Sequence, residues 1–145
     1  MVVINGYYVS SEKSLLNREF IHQFLSQESY WAKGISLDAV EKTIENSLCF
    51  GVYRKDNKQV GYARVITDYA TVAHIADVFI SNEFRGLGLS KLLIGKIMEH
   101  NSITQLRKVF LFTQDAQRLY EKFGFRNSNS PQHYMEIKMN NPKTD

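Results

Sequence analysis

The chain has 145 residues, a formal net charge of +3 and 43% apolar residues, which is typical of one globular domain with its own core. Its single cysteine excludes an internal disulfide, and its small, scattered charge excludes the basic stripe of a nucleic-acid-binding protein. No basic leader and no apolar run near the roughly 20 residues of a membrane helix is present, so we expect a cytoplasmic protein that binds no membrane. We expect one domain over residues 1–140 and a frayed tail over residues 141–145.

Hydrophobic periodicity predicts ten elements in the order β-α-α-β-β-β-α-β-α-β. They are a strand over residues 1–9, a helix from Ser10 or Ser11 to Gln27, a helix capped by Ser36 and ending near Asn46, strands over 48–54, 59–68 and 71–80, a helix over 86–100, a strand over 108–112, a helix over 115–123 closed by Gly124, and a strand over 133–139. The strand over 71–80, TVAHIADVFI, is apolar at nearly every position and should be central in its sheet. Cys49 lies in another predicted strand without a charged neighbour, which favours a buried, inert thiol over a nucleophile.

A glycine-rich turn, EFRGLGLSKLL over residues 83–93, joins the central strand to the next helix. Gly86 and Gly88 leave room for an anion beside the free N–H groups at a helix start, and Arg85 can add a charge-assisted contact. The spacing fits neither G-x-G-x-x-G, because Lys91 stands where the third glycine belongs, nor a P-loop. The turn alone leaves a phosphate cradle and a simple connector both open.

Two motifs resemble those of the GNAT superfamily of acetyl-CoA-dependent N-acetyltransferases. RGLGLS over residues 85–90 is similar to its pyrophosphate motif, with Ser90 in place of Gly or Ala, and AQRLYEKFGF over residues 116–125 matches a second motif completely. Thr113 replaces an asparagine that many members carry before the second motif. The resemblance implies an α/β fold in which a mixed, mostly antiparallel twisted sheet, with splayed fourth and fifth strands, is flanked by about four helices.

The resemblance also implies the cofactor, acetyl-CoA. Its pantetheine arm would pair with the backbone of the fourth strand, its pyrophosphate would lie on the glycine turn, and no metal ion is expected. The cofactor-binding residues implied in this way are Val78, Phe79, Ile80, Arg85, Gly86, Leu87, Gly88, Leu89, Ser90, Lys91, Thr113, Ala116 and Tyr120.

Three residues are candidates for catalysis. The resemblance implies that Tyr120 is the general acid, and a packed helix tyrosine is the alternative. His74 and Asp77 are both candidate bases, but they lie three residues apart on one strand, so only one can face the cleft unless a bulge intervenes. His74 titrates in the useful range or is simply packed, and Asp77 acts through water or holds the substrate ammonium.

The acceptor site is predicted from three further residues. Tyr30 and Trp31 occupy the position where the family builds its acceptor pocket, and they either stack on the substrate or pin their loop. Arg64, with Asp68 beyond it, binds a substrate carboxylate or forms a surface salt bridge.

Together these features predict an enzyme that moves acetyl to a primary amine of a small molecule or peptide by direct attack in a ternary complex. The alternative is a catalytically weak sensor or partner module that only binds acyl-CoA. The resemblance also implies that a homodimer can form through the C-terminal strands.

Overall fold

The computed structural model describes residues 2–140. Its strands are β1 (Tyr7–Ser10), β2 (Leu48–Arg54), β3 (Gln59–Thr67), β4 (Val72–Ile80) and β5 (Lys108–Leu111). Its α-helices are α1 (Arg18–Gln23), which continues into a π-helical turn (Phe24–Glu28), α2 (Leu37–Glu45), α3 (Leu89–Glu99), α4 (Asn101–Thr104) and α5 (Gln117–Glu121). Short 3-10 helices lie at Lys13–Leu15, Asn82–Phe84 and Pro131–His133.

The five strands form one mixed sheet in the order β1-β2-β3-β4-β5. The first three pairs are antiparallel, and β4 and β5 are parallel, so the predicted mixed α/β class is confirmed. β5 pairs with β4 only from Val72 to Ile75, whereas β4 runs on to Ile80. The two strands therefore separate beyond this register, as the resemblance implied.

Each face of the sheet carries its own core. On one face, α3 buries Leu93, Ile94 and Ile97 against β-branched residues of the strands, and Val52 and Val65 are fully buried there. On the other face, the predicted apolar positions of α1 and α2 pack on the sheet residues Cys49, Tyr62 and Phe79. The sheet is thus covered on both faces, and the gap between β4 and β5 connects one face with the other.

The first strand is shorter than the predicted 1–9, of which residue 1 lies outside the described residues. Asn5 and Gly6 have φ values of 52° and 87°, and Ile4 bridges to Tyr7 across them. Two successive positive φ values at Asn-Gly are the signature of a tight hairpin turn. This turn separates Val2 and Val3, which are exposed, from β1.

The predicted helix from Ser10 or Ser11 to Gln27 is also wrong at its start, since α1 begins at Arg18. Asn17 caps α1 by accepting a hydrogen bond from the Phe20 amide at 3.0 Å. The Asn17 backbone N–H itself donates to Oε1 of the buried Gln59 at 2.7 Å. This long-range bond holds the Asn17 backbone outside the helix. By contrast, α2 starts at the predicted cap, where Ser36 Oγ accepts from the Ala39 amide.

The predicted strand over 133–139 is absent from the described part of the chain. Met135, Ile137 and Met139 alternate with polar residues, as in a half-buried strand, but they are 72–90% exposed. Apolar alternation stabilises a strand only where another surface covers the apolar face. Within residues 2–140 none does, and the segment forms no strand.

Candidate active site

A cavity of about 1320 Å³ opens where β4 and β5 separate. One half lies beside α3 and α5, and the other lies between the sheet and the segment from α1 to α2. Most of the predicted site residues line it: Tyr30, Trp31, Arg64, His74, Asp77, Val78, Phe79, Ile80, Arg85, Ser90, Thr113, Ala116 and Tyr120. The fold therefore collects into one place residues that are up to 90 positions apart in the chain.

The remaining predicted residues do not line the cavity wall: Gly86, Leu87 and Gly88 form the turn after Arg85, and Leu89 and Lys91 lie in the first turn of α3. Gly86 and Gly88 have φ values of 80° and 77°, and Gly88 is the N-cap of α3. The side chain of Leu89 is buried in the core, so only its backbone is available to a ligand. Arg85 Nε donates to the Ile80 carbonyl at 3.1 Å, which fixes the arginine beside the turn.

A β-bulge in β4 decides where Asp77 points. Arg64 pairs with Ala76 and Tyr62 pairs with Phe79, so β4 contains one extra residue across from β3. Asp77 has a φ of 54°, the left-handed region that aspartate tolerates better than most residues. Because the bulge shifts the alternation, His74 and Asp77 both face the cavity, and the alternation rule does not force a choice between them.

Asp77 is the centre of a hydrogen-bonded group. Its Oδ2 accepts from Arg64 Nε at 2.5 Å, and its Oδ1 accepts from Trp31 Nε1 at 2.7 Å. Arg64 Nη1 donates to Ser47 Oγ at 3.3 Å. The side chains of Arg64 and Asp77 are only 17% and 8% exposed, so this ion pair is not the surface salt bridge considered for Arg64. Asp68 instead accepts hydrogen bonds from Thr71 in its own turn.

His74 lies among aromatic rings. Its imidazole stacks on Phe110 with centroids 4.9 Å apart and meets the edge of Phe112 at 5.5 Å. Burial lowers the pKa of His74, the Arg64 charge lowers it further, and Asp77 opposes them. The imidazole is therefore neutral at neutral pH and has a free lone pair.

Tyr120 forms part of the opposite wall, in α5. It is 7% exposed and meets Phe125 edge-on, and Gly124, at a φ of 93°, closes the helix after it. Burial raises the pKa of Tyr120 to about 12, and Tyr30 and Asp115 act in the same direction. The phenol thus stays protonated across the working range of an enzyme.

A family model described as an acetyltransferase (GNAT) domain matches residues 11–141. The chain belongs to the GNAT acetyltransferase family. A provisionally named acetyltransferase of Gibberella zeae is 31% identical over 135 residues, covering 80% of this chain and 76% of that protein. A crystal structure of a provisionally named GNAT acetyltransferase from Xanthomonas campestris has 44% identity and a TM-score of 0.88 and covers 94% of both chains.

A more distant solved structure carries ligands. The crystal structure of Rv2747 from Mycobacterium tuberculosis, in complex with CoA and a second ligand, has 16% identity and a TM-score of 0.69. The match covers 84% of this chain and 73% of that one. At this identity the likeness shows the fold alone.

Sequence reasoning missed several residues of this cavity. Ser47 is buried and binds Arg64, while Lys42 and Phe24 line the half between the sheet and the segment from α1 to α2. Their contacts join elements distant in sequence, so no local pattern marks them. Among residues 2–140, no helix is long and apolar enough to span a membrane.

Proposed function

We propose that the protein transfers acetyl from acetyl-CoA to a primary amine of a small molecule or peptide, by direct attack in a ternary complex. The observation that carries the proposal is the cavity through the gap between β4 and β5. Its walls hold Tyr120 on one side and His74 and Asp77 on the other. Acetyl-CoA would supply the acetyl group as a thioester, so that a C–N bond forms, the C–S bond breaks, and the amine loses a proton while the thiol gains one.

The chain's residues fit this cofactor. Beyond Ile75 the β4 edge facing β5 has no strand partner within residues 2–140, so backbone groups of Val78, Phe79 and Ile80 that point to this edge could pair with a ligand, although the Ile80 carbonyl already accepts from Arg85 Nε. The free N–H groups at the start of α3 and the Arg85 guanidinium would hold the phosphates. The residues proposed to hold acetyl-CoA are those expected from the sequence: Val78, Phe79, Ile80, Arg85, the backbone of residues 86–91, Thr113, Ala116 and Tyr120.

Two of the residues proposed to hold acetyl-CoA, Thr113 and Ser90, depart from the family pattern. Thr113 Oγ1 accepts from the Ala116 amide at 3.0 Å, so this threonine shapes the turn before α5. Ser90 lines the cavity within the first turn of α3 and adds a hydroxyl where the family pattern has no polar side chain. Both positions keep small side chains beside the proposed phosphate and pantetheine path.

Tyr120 is proposed as the donor to the leaving sulfur. An ordinary thiol titrates near pKa 8.5, well below the value of about 12 for Tyr120, so a thiolate takes the tyrosine's hydrogen bond more readily than its proton. Tyr120 would therefore stabilise developing negative charge, and solvent would deliver the proton. Hydrogen bonds to charged groups contribute about 1.5–3 kcal/mol, which corresponds to roughly 10- to 150-fold in rate.

His74 is proposed as the base and Asp77 as the anchor of the substrate ammonium. Both Asp77 oxygens already accept a hydrogen bond, whereas the His74 ring has no hydrogen-bond partner among residues 2–140. A neutral imidazole at the cavity wall can take the amine proton directly or through one water molecule.

The proposal is tested by calorimetric titration of acetyl-CoA, followed by a screen of amines for release of free thiol. We expect saturable binding and thiol release with at least one amine class. Failure of acetyl-CoA to bind would refute the proposal. Binding without thiol release across polyamines, amino acids, aminoglycosides, arylalkylamines and peptides would favour the acyl-CoA sensor instead.

Replacement of Tyr120 by Phe should lower kcat about 10- to 100-fold while leaving the Kd of acetyl-CoA within about twofold. The ring is retained, so packing against Phe125 survives. Steady-state kinetics and calorimetry on the same preparation measure the two quantities. An unchanged kcat would remove Tyr120 from the mechanism.

A further inference from the structure

We propose that the acceptor is a compact zwitterion, a large apolar or aromatic amino acid whose carboxylate is bound by Arg64 while its amine lies beside Asp77. This inference rests on the proposed function and names the substrate class of the same site. Four features support it, all in the half of the cavity between the sheet and the segment from α1 to α2, which we call the acceptor half: unused donors on Arg64, the contact between Arg64 and Asp77, the charges around them, and an apolar wall.

Arg64 has donors to spare. A guanidinium carries five N–H groups. In this structure Nε donates to Asp77 and Nη1 to Ser47, and Nη2 has no partner among residues 2–140. Because the side chain is only 17% exposed and lines the cavity, a ligand would reach its remaining donors from the cavity. A planar, partly buried fork of this kind is suited to a carboxylate.

The direct contact between Arg64 and Asp77 sets the size of the acceptor. Each Asp77 oxygen accepts one hydrogen bond and keeps lone-pair capacity for an ammonium group. An amine beside Asp77 and a carboxylate on Arg64 would then lie only a few ångströms apart. That separation fits groups joined through one or a few carbon atoms.

The charges around the pair are balanced, which suits an acceptor that carries both signs of charge. Lys42 lines the same half of the cavity and has no ion-pair partner within residues 2–140. On the acidic side, Asp77 is matched by Arg64, and Glu28 accepts a hydrogen bond from Asn82 at the exposed rim. Glu28 likewise has no ion-pair partner within residues 2–140, so this half of the cavity holds one unpaired charge of each sign beside the Arg64–Asp77 pair, a balance that suits a zwitterion, whereas a polyamine would need a surplus of carboxylates.

The wall beside the ion pair is apolar and aromatic. Trp31 is fixed through its bond to Asp77, Tyr30 meets Trp31 edge-on with centroids 4.9 Å apart, and Phe24 lies behind Trp31 at 6.5 Å. Ile35 completes this side of the cavity. A large apolar or aromatic side chain attached to the zwitterion would bury its surface against these rings.

Matched pairs of acceptors test the inference, because an amine that lacks only the carboxylate isolates its contribution. With wild-type protein and acetyl-CoA, we expect kcat/KM for phenylalanine and leucine to exceed that for phenethylamine and isoamylamine by about 10-fold or more. Equal values, or a preference for the decarboxylated amines, would overturn the inference.

Two variants locate the effect. Replacement of Arg64 by Gln should bring each ratio close to one, and K42Q should reduce it about two- to fivefold, mainly through KM. Replacement of Lys55 by Gln, in the β2–β3 turn and outside the cavity lining, makes the same change in net charge and should leave the ratio unaltered. If R64Q does not fold, the wild-type ratio and K42Q still decide the question.

The outcomes separate this inference from the proposed function. Thiol release with other amines but with neither phenylalanine nor leucine would overturn the inference and leave the acetyltransferase proposal standing. If acetyl-CoA did not bind, the proposed function would fail, and calorimetric titration of phenylalanine against phenethylamine would still test the acceptor site directly. Weaker binding of phenylalanine than of phenethylamine would refute it.

Discussion

His74 should make the stability of the protein depend on pH near neutrality. Burial lowers its pKa in the folded protein, whereas the unfolded chain titrates near the ordinary value of about 6.5. Below that value the unfolded state binds more protons than the folded state. The contribution of neutral, buried His74 to stability is therefore complete above about pH 6.5 and is lost as pH falls toward the folded pKa. Urea unfolding at pH 7.5 and 5.5 should show a lower free energy of unfolding at pH 5.5.

Replacement of His74 by Phe should reduce this difference, because Phe retains the ring packing against Phe110 and Phe112 without a titrating group. His133 is exposed, so H133Q is the matched control and should keep the full difference. An equal fall in the wild type and in the His74 variant would show that another group is responsible.

Asp77 was predicted from the sequence as a site residue, but the direction of its side chain was not. Its presence at the site was expected, but strict alternation placed it on the face opposite His74. The bulge depends on how β4 pairs with β3. Asp77, with a φ of 54°, accepts hydrogen bonds there from Arg64 and Trp31. Those partners lie 13 and 46 positions away, so no local pattern could reveal them.

At the scale of elements, the two glycines of α3 should respond oppositely to alanine. Gly88 has a φ of 77° and an added Cβ meets nothing within 4 Å, so strain alone should destabilise G88A by about 1–2 kcal/mol. Gly95 lies inside the helix, where a Cβ would make an ordinary 3.6 Å contact with Phe123, and G95A should stabilise by about 0.5–1 kcal/mol. Urea denaturation measures both, and shifts of the same sign would contradict this account of the turn.

Elements with strong local signals were predicted well. The glycine turn, α3, the β2–β3 hairpin and β4 lie where periodicity and breakers put them. The start of the first helix and the last strand were wrong because long-range contacts decide them. Gln59 delays the start of α1, and the alternating segment after His133 has no surface to cover it.

The architecture of the whole molecule is set by one sheet, which has a core on each face and a gap between β4 and β5. Between Val72 and Ile75, β5 completes the sheet; beyond that point the strands separate, and the cavity connects the two faces. The family motifs indicated this architecture from sequence. Tyr30, Trp31, Arg64 and Asp77 were expected together from the sequence and do line one cavity, but the contacts among them could not be predicted, since tertiary packing of α1, α2, β3 and β4 creates them.

Cys49 offers a test of cooperative stability across this assembly. It is 1% exposed within the α1–α2 core, its thiol accepts from Tyr62 Oη at 3.3 Å, and burial raises the pKa of the thiol. Reaction with an aromatic disulfide reagent therefore requires the core to open. For a typical unfolding free energy of 5 kcal/mol or more, labelling in buffer should be at least about 10³-fold slower than in urea. N129C adds an exposed thiol as an internal control, and equal rates for the two thiols would show that this core opens independently of global unfolding.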